Sequence, residues 1–100
     1  MRSRYTAFKL SLAKYIIQTT HIENPDYTQN IKLWEKDILQ FSNNFTFIKL
    51  NILEFIDGEN TAYVTFRATI ELNNQDSSFT EKSTFKKLNN RWLYHSGIQL

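Results

Sequence analysis

Apolar positions along the chain change their period once, near residue 44. From Tyr5 onward, Phe8, Leu12, Tyr15 and Ile16 recur at steps of three and four, so they share one stripe of a helix expected over Ser3 to Gln18. Asn24-Pro25-Asp26 then reads as a helix start, since Asn or Asp can cap and Pro has no amide to leave unpaired in a first turn. Tyr27, Ile31, Trp34, Ile38 and Phe41 follow at helical spacing and predict a second, amphipathic helix.

After Ser42-Asn43-Asn44 the rhythm becomes two. Phe45 to Phe55 is rich in Phe and Ile, and Asp57-Gly58-Glu59-Asn60 is a turn signal. Ala62, Val64, Phe66, Ala68, Ile70 and Leu72 then share one face of a strand, with Tyr63, Thr65, Arg67, Thr69 and Glu71 on the other. A polar cluster from Asn73 to Ser77 reverses the chain into a third strand, where Phe79, Glu81, Ser83 and Phe85 alternate with Thr80, Lys82, Thr84 and Lys86. Asn89-Asn90 makes the last turn before Arg91 to Ser96. Two N-terminal helices packed on a curved four-stranded antiparallel sheet define an α+β fold, with the helices on one face. No internal repeat or linker interrupts residues 1–100, which are expected to form one domain.

Composition narrows the partners. A chain of 100 residues buries roughly 60–68% of its extended surface, enough for one core. Its 41% apolar share and 15 aromatic residues against two Gly and one Pro exclude a disordered or low-complexity chain. A net charge of +2 is too small to point to nucleic acid. Residues 1–20 do carry Arg2, Arg4, Lys9 and Lys14 with no acid, which leaves only weak support for a phosphate or RNA partner. No run approaches the roughly 20 apolar residues of a membrane span, and Lys9, Lys14 and Gln18 interrupt any signal-peptide core. A soluble, cytoplasmic protein is the expectation. The absence of cysteine excludes disulfides and thiolate metal sites within the chain.

The segments MRSRYTAF (Met1 to Phe8), YIIQTTH (Tyr15 to His21), Trp34, FRATI (Phe66 to Ile70), EKSTF (Glu81 to Phe85) and RWLY (Arg91 to Tyr94) occur in that order. Together they make the chain resemble the YchJ family, whose central domain belongs to the nuclear-transport-factor-two-like superfamily of cystatin-like cones. The resemblance implies a conical pocket closed at one end by helices, and a sheet face that many relatives use to form homodimers. It implies no settled biochemical activity. Family members commonly carry Trp-His-Pro where this chain has Thr20-His21-Ile22, and they usually carry SEC-C motifs, short cysteine-rich zinc-binding segments, beside this domain. None lies within these residues, so the sequence reads as a stand-alone domain or as one unit of a longer protein.

Candidate chemistry begins with Glu81, which alternation places beside Phe79, Ser83 and Phe85 on the core side of its strand. An unpaired buried carboxylate costs several kcal/mol, so it should gain a cation or a proton. Arg2 or Arg4 is the expected partner, because a guanidinium can bridge a carboxylate through two parallel hydrogen bonds. That pair reads either as a tie between the first helix and the third strand or as the polar floor of a pocket. His21 is placed to cap the first helix or to join that pocket, and His95 is expected at the surface. With two histidines and no close His/Asp/Glu spacing, neither a metal nor another cofactor is expected. Ser83, His21 and Glu81 could be drawn as a triad, but no nucleophile-elbow motif accompanies them, so no catalytic residue is assigned. Tyr5, Trp34, Phe85, Trp92 and Tyr94 read as core aromatics, some of them lining the cone.

Three function classes stay open. The leading one is a non-enzymatic binding or protein-interaction module, which the SEC-C association of the family implies would work beside a protein or nucleic-acid-linked partner. The second is an enzyme or ligand binder using the cone with Glu81, His21 and Arg4. The third is a structural module that dimerises through its sheet.

Overall fold

A computed structural model describes residues 1–100. The chain runs α1 (Arg2–Lys9), α2 (Ala13–Gln18), α3 (Ile31–Asn44), β1 (Phe45–Ile56), β2 (Thr61–Leu72), β3 (Gln75–Asp76), β4 (Phe79–Leu88) and β5 (Arg91–Gln99). All strands pair antiparallel in one sheet of order β1-β2-β4-β5, with the short β3 also on β2. The thinnest dimension is 19 Å, the thickness of one helix layer on one sheet, which confirms the α+β layering. No helix is long and apolar enough to cross a membrane.

The expected first helix is two helices. Ser11 adopts φ 58°, Leu12 N–H donates to the Ala7 carbonyl at 2.7 Å, and Ser11 N–H donates to Phe8 at 3.2 Å. These two bonds make a Schellman ending for α1, with a serine where glycine is usual. In the sequence the apolar spacing runs straight across the break through Leu12 and Ile16, so periodicity gives no hint of the turn; in the structure Leu12 is exposed and α2 buries Ala13 with Ile16 instead.

The second expected helix begins later than its start signal. Asn24 Oδ1 accepts the Asp26 amide at 2.8 Å and Tyr27 N–H donates to the Asn24 carbonyl at 2.9 Å, so Asn24-Pro25-Asp26 closes a turn. The cap is Asn30, whose side chain accepts Leu33 N–H at 3.3 Å, and α3 starts at Ile31. Tyr27 keeps the predicted stripe company by packing edge-on to Trp34, with ring centroids 5.4 Å apart.

In the sheet, β2 buries Ala62, Val64, Phe66, Ala68 and Ile70, the face expected from alternation. The predicted third strand is β4, and the polar cluster from Asn73 to Ser77, expected only to reverse the chain, holds the two-residue strand β3 before the ladder is interrupted. Ser77 N–H donates to the Ile70 carbonyl at 2.9 Å, while the Ser78 hydroxyl accepts Ile70 N–H at 3.2 Å, so side chain replaces backbone in the ladder and the strand breaks. That gives five strands rather than four. Asn73-Asn74 and Asn89-Asn90 all have φ between 51° and 64°, the paired left-handed residues that tight two-residue hairpins require.

Two buried clusters stabilise the layers. Ala7, Ala13, Ile16, Trp34 and Ile38 knit the helices, and Phe66, Ala68 and Ile70 anchor the sheet. Helix α1 belongs to both: Ala7 and Phe8 pack toward the helices, while Met1 and Tyr5 pack toward the sheet. Register shifts at Ile48 and Leu53 in β1 and at His95 in β5 bulge the two outer strands, which bends them.

Candidate functional site

Because α1 sits between the two clusters, its inward arginine enters the middle of the molecule. Arg4 is 6% exposed, and its Nη1 donates to the Ile16 carbonyl at 3.1 Å and to the Thr19 and Thr20 hydroxyls at 2.7 and 3.3 Å. The cation therefore closes the C-terminal end of α2, where unpaired carbonyls favour positive charge. Its guanidinium carbon also lies 4.6 Å from the centre of the Tyr94 ring. Burial pushes its pKa down to about 10, opposed by the Tyr94 and Tyr15 phenols and by Glu81. The group stays charged at neutral pH.

Glu81 is half-buried and is not ion-paired to either arginine; every ion pair within 4.0 Å in the protein involves Glu23. Instead the Ser83 and Tyr94 hydroxyls donate to its Oε2 at 2.5 and 3.0 Å. The expected direct Arg–Glu bridge is thus replaced by a relay in which Tyr94 stacks on Arg4 with its ring and bonds Glu81 with its hydroxyl. The physical reason lies in α2: its terminal carbonyl and two threonines capture the guanidinium first. Burial, and then the Glu81 charge and hydrogen bond, push the Tyr94 phenol well above its ordinary pKa. Gly97 makes room for this arrangement, since a Cβ there would overlap the Glu81 carboxylate and the Tyr94 hydroxyl.

Arg4, Tyr5, Glu81 and Tyr94 line one cavity of about 220 Å³, walled by Phe47, Phe66, Ala68 and Phe79 among others. The Tyr5 hydroxyl is buried without a hydrogen-bond partner, and burial raises its pKa. A neighbouring cavity of about 520 Å³ lies toward the helices and contains Trp34; it shares Arg4, Phe8, Asp26, Phe41 and Tyr94 with the first. Phe85 and Trp92 line a third cavity of about 240 Å³, which also touches Arg4. Trp92 is 39% exposed, so it is no core residue.

Other candidates lie apart. Arg2 is exposed. Ser83 is fully buried behind Glu81, where no substrate could reach its hydroxyl. His21 does not cap α2, a role that Arg4 takes. Its N–H donates to the Tyr94 carbonyl at 2.8 Å, and its Nδ1 accepts Glu23 N–H at 3.0 Å. His95, expected at the surface, is partly covered; its ring meets that of His21 at 5.2 Å and its Nε2 lies 3.1 Å from Glu23 Oε1. That hydrogen bond, followed by Lys86, holds the Glu23 carboxyl below its usual range. Sequence spacing missed this cluster because its two histidines are 74 residues apart; His21-x-Glu23 was its only local trace.

The family model for the YchJ middle NTF2-like domain matches residues 1–97. A UPF0225 protein from Shewanella sp. (strain MR-7) is 32% identical over 105 residues, covering 100% of this chain and 60% of that protein. The chain spans about 60% of the length of the curated relatives it matches. Among solved structures, RPA3114, a SEC-C motif containing protein from Rhodopseudomonas palustris, is 26% identical with a TM-score of 0.83, covering 100% of this chain and 75% of that one. A SEC-C motif containing protein from Psychrobacter arcticus is also 26% identical, with a TM-score of 0.76 over 96% of this chain and 56% of that one.

Proposed function

The chain belongs to the YchJ family, matching its middle NTF2-like domain, and from that premise we propose that it is a non-enzymatic binding module whose cone takes a small, mainly apolar ligand with one hydrogen-bonding head group. The observation that carries this reading is the unpartnered Tyr5 hydroxyl in a residue lining the cavity that Glu81 and Tyr94 also line. A buried polar atom without a partner costs about 1–3 kcal/mol, and a ligand head group would remove that cost. The aromatic and aliphatic walls supply the apolar contact that ligand cavities use for affinity, with few polar groups for orientation.

Binding without catalysis is supported by what surrounds the carboxylate. Its contacts are hydroxyls, and the cavity lining contains no histidine or lysine to exchange protons with it. The SEC-C motifs named in the two structural neighbours suggest that, in longer relatives, such a module works beside a second unit.

Protein-observed amide NMR during titration with a panel of small aromatic alcohols and amides tests the reading. Bound fragments should shift the amide signals of Tyr5, Phe66 and Glu81, and Ala68→Leu, which fills the cavity, should abolish those shifts. Fragments that bind equally well to Ala68→Leu, or that shift only residues outside the cone, would refute it.

A further inference from the structure

The loop after α2 and the bulge of β5 are held together by a short run of hydrogen bonds at Tyr94 and His95. Tyr94 N–H donates to the Thr19 carbonyl at 2.8 Å, His21 N–H donates back to the Tyr94 carbonyl at 2.8 Å, and the Asn24 amide donates to the His95 carbonyl at 2.8 Å. Residues 19–24 are thereby clamped along β5. In β5, Ser96 pairs with Thr84 and Tyr94 with Phe85, which leaves His95 as the extra residue of the bulge. A bulge re-aims a side chain out of strand alternation. Here it brings the imidazole to His21 and Glu23.

We propose that His21, Glu23 and His95 form a binding site for a divalent transition-metal ion of the zinc, nickel or copper class. One ligand atom from each residue lies within 4.8 Å of the others. Glu23 Oε1 is 3.1 Å from His95 Nε2 and 4.0 Å from His21 Nδ1. Metal bonds of about 2.0–2.1 Å in tetrahedral geometry need ligand atoms about 3.3 Å apart, so small side-chain rotations close the site. Two imidazoles with one carboxylate favour such ions over magnesium or calcium, which prefer all-oxygen shells.

The surroundings fit this role. His95 Nδ1 hydrogen-bonds the Ser96 hydroxyl at 2.9 Å, which orients the ring with Nε2 toward Glu23. His21 is 8% exposed and held by its backbone, while Glu23 is open to solvent and gives the ion an entry path. To bind the metal, His21 Nδ1 gives up the hydrogen bond that it accepts from the Glu23 amide at 3.0 Å. Without metal, the Lys86 ammonium, 3.7 Å from Glu23 Oε1, supplies the compensating positive charge and competes with the ion.

Isothermal titration of the untagged chain with zinc or nickel chloride tests the site. The expected result is one saturable site per chain with micromolar affinity, weakened about tenfold or more by His95→Ala and strengthened by Lys86→Met. His95 sits in a bulge and is partly exposed, so its replacement leaves a folded protein even if His21→Ala does not. The chain contains two histidines, and both imidazole NMR signals should shift or broaden together on metal addition. No saturable binding at millimolar metal, or binding that His95→Ala leaves intact, would overturn the proposal.

Discussion

Arg4 carries a full charge into the interior and balances it with a helix end and an aromatic face. Removing it takes a donor from the Thr19 and Thr20 hydroxyls, while the Ile16 carbonyl keeps the Thr20 hydroxyl at 2.6 Å, so Arg4→Met should lower the unfolding free energy by about 1–2 kcal/mol in urea titrations. Glu81→Gln keeps an acceptor oxygen and should cost about 1 kcal/mol. Since the two residues share Tyr94 as a partner and the Glu81 charge also acts on Arg4, the double variant should depart from additivity by about 0.5–1 kcal/mol. Strict additivity would show that Tyr94 does not couple the guanidinium to the carboxylate. The residue types of this site were legible from the sequence, because a carboxylate on an apolar strand face and an arginine in an amphipathic helix both demand partners. Their pairing was not legible. Three acceptors at the end of α2 compete for Arg4, and their positions depend on how α1 and α2 cross.

At the scale of elements, the break between α1 and α2 is the decisive feature. It turns Arg4 toward the α2 terminus, which a continuous helix from Ser3 to Gln18 could not do, since Arg4 and Ile16 would then lie about 18 Å apart along one axis. The break depends on Ser11 holding φ 58°, which a residue with a Cβ adopts at a cost of about 1–2 kcal/mol. Ser11→Gly should therefore stabilise the protein by about 0.5–1 kcal/mol, after the entropy that glycine adds to the unfolded chain. An unchanged or lower thermal midpoint would show that the turn is not strained. The strands were easier to read than the helices. Alternation in β2 stands out because one face is buried and the other is not, whereas the turn at Ser11 carries no glycine or proline and lies within an apolar spacing that runs straight across it in the sequence, although Leu12 ends exposed and Ala13 buried.

For the molecule as a whole, the buried charges and phenols predict its response to alkali. Tyr94 has a raised pKa in the folded state, so its contribution is complete below the unfolded phenol value of about 10 and is lost as pH rises toward the folded one. Arg4 acts in the opposite sense: its pKa is lowered to about 10, so the cost of its buried charge is present below that value and relieved above it. Comparing the chain with Tyr94→Phe isolates the phenol. The stability advantage of the tyrosine should be largest near neutrality and shrink by about 1 kcal/mol for each pH unit above 10, less than the full linkage value because the phenol keeps some contact with water. A constant difference across that range would show that Tyr94 is not desolvated in the native state.

Local chemistry written into the chain was sufficient for the α+β class, the order of helices before strands, the inward face of β2 and the asparagine hairpins. Periodicity and turn residues act over a few neighbours, and that range covers these features. Which cation meets which acid, how three cavities surround Arg4, and how His21 comes to face His95 were settled by folding. Each of those depends on segments far apart in sequence, on one bulge and on one helix break, and a shift of a single residue in either would send the same side chains elsewhere.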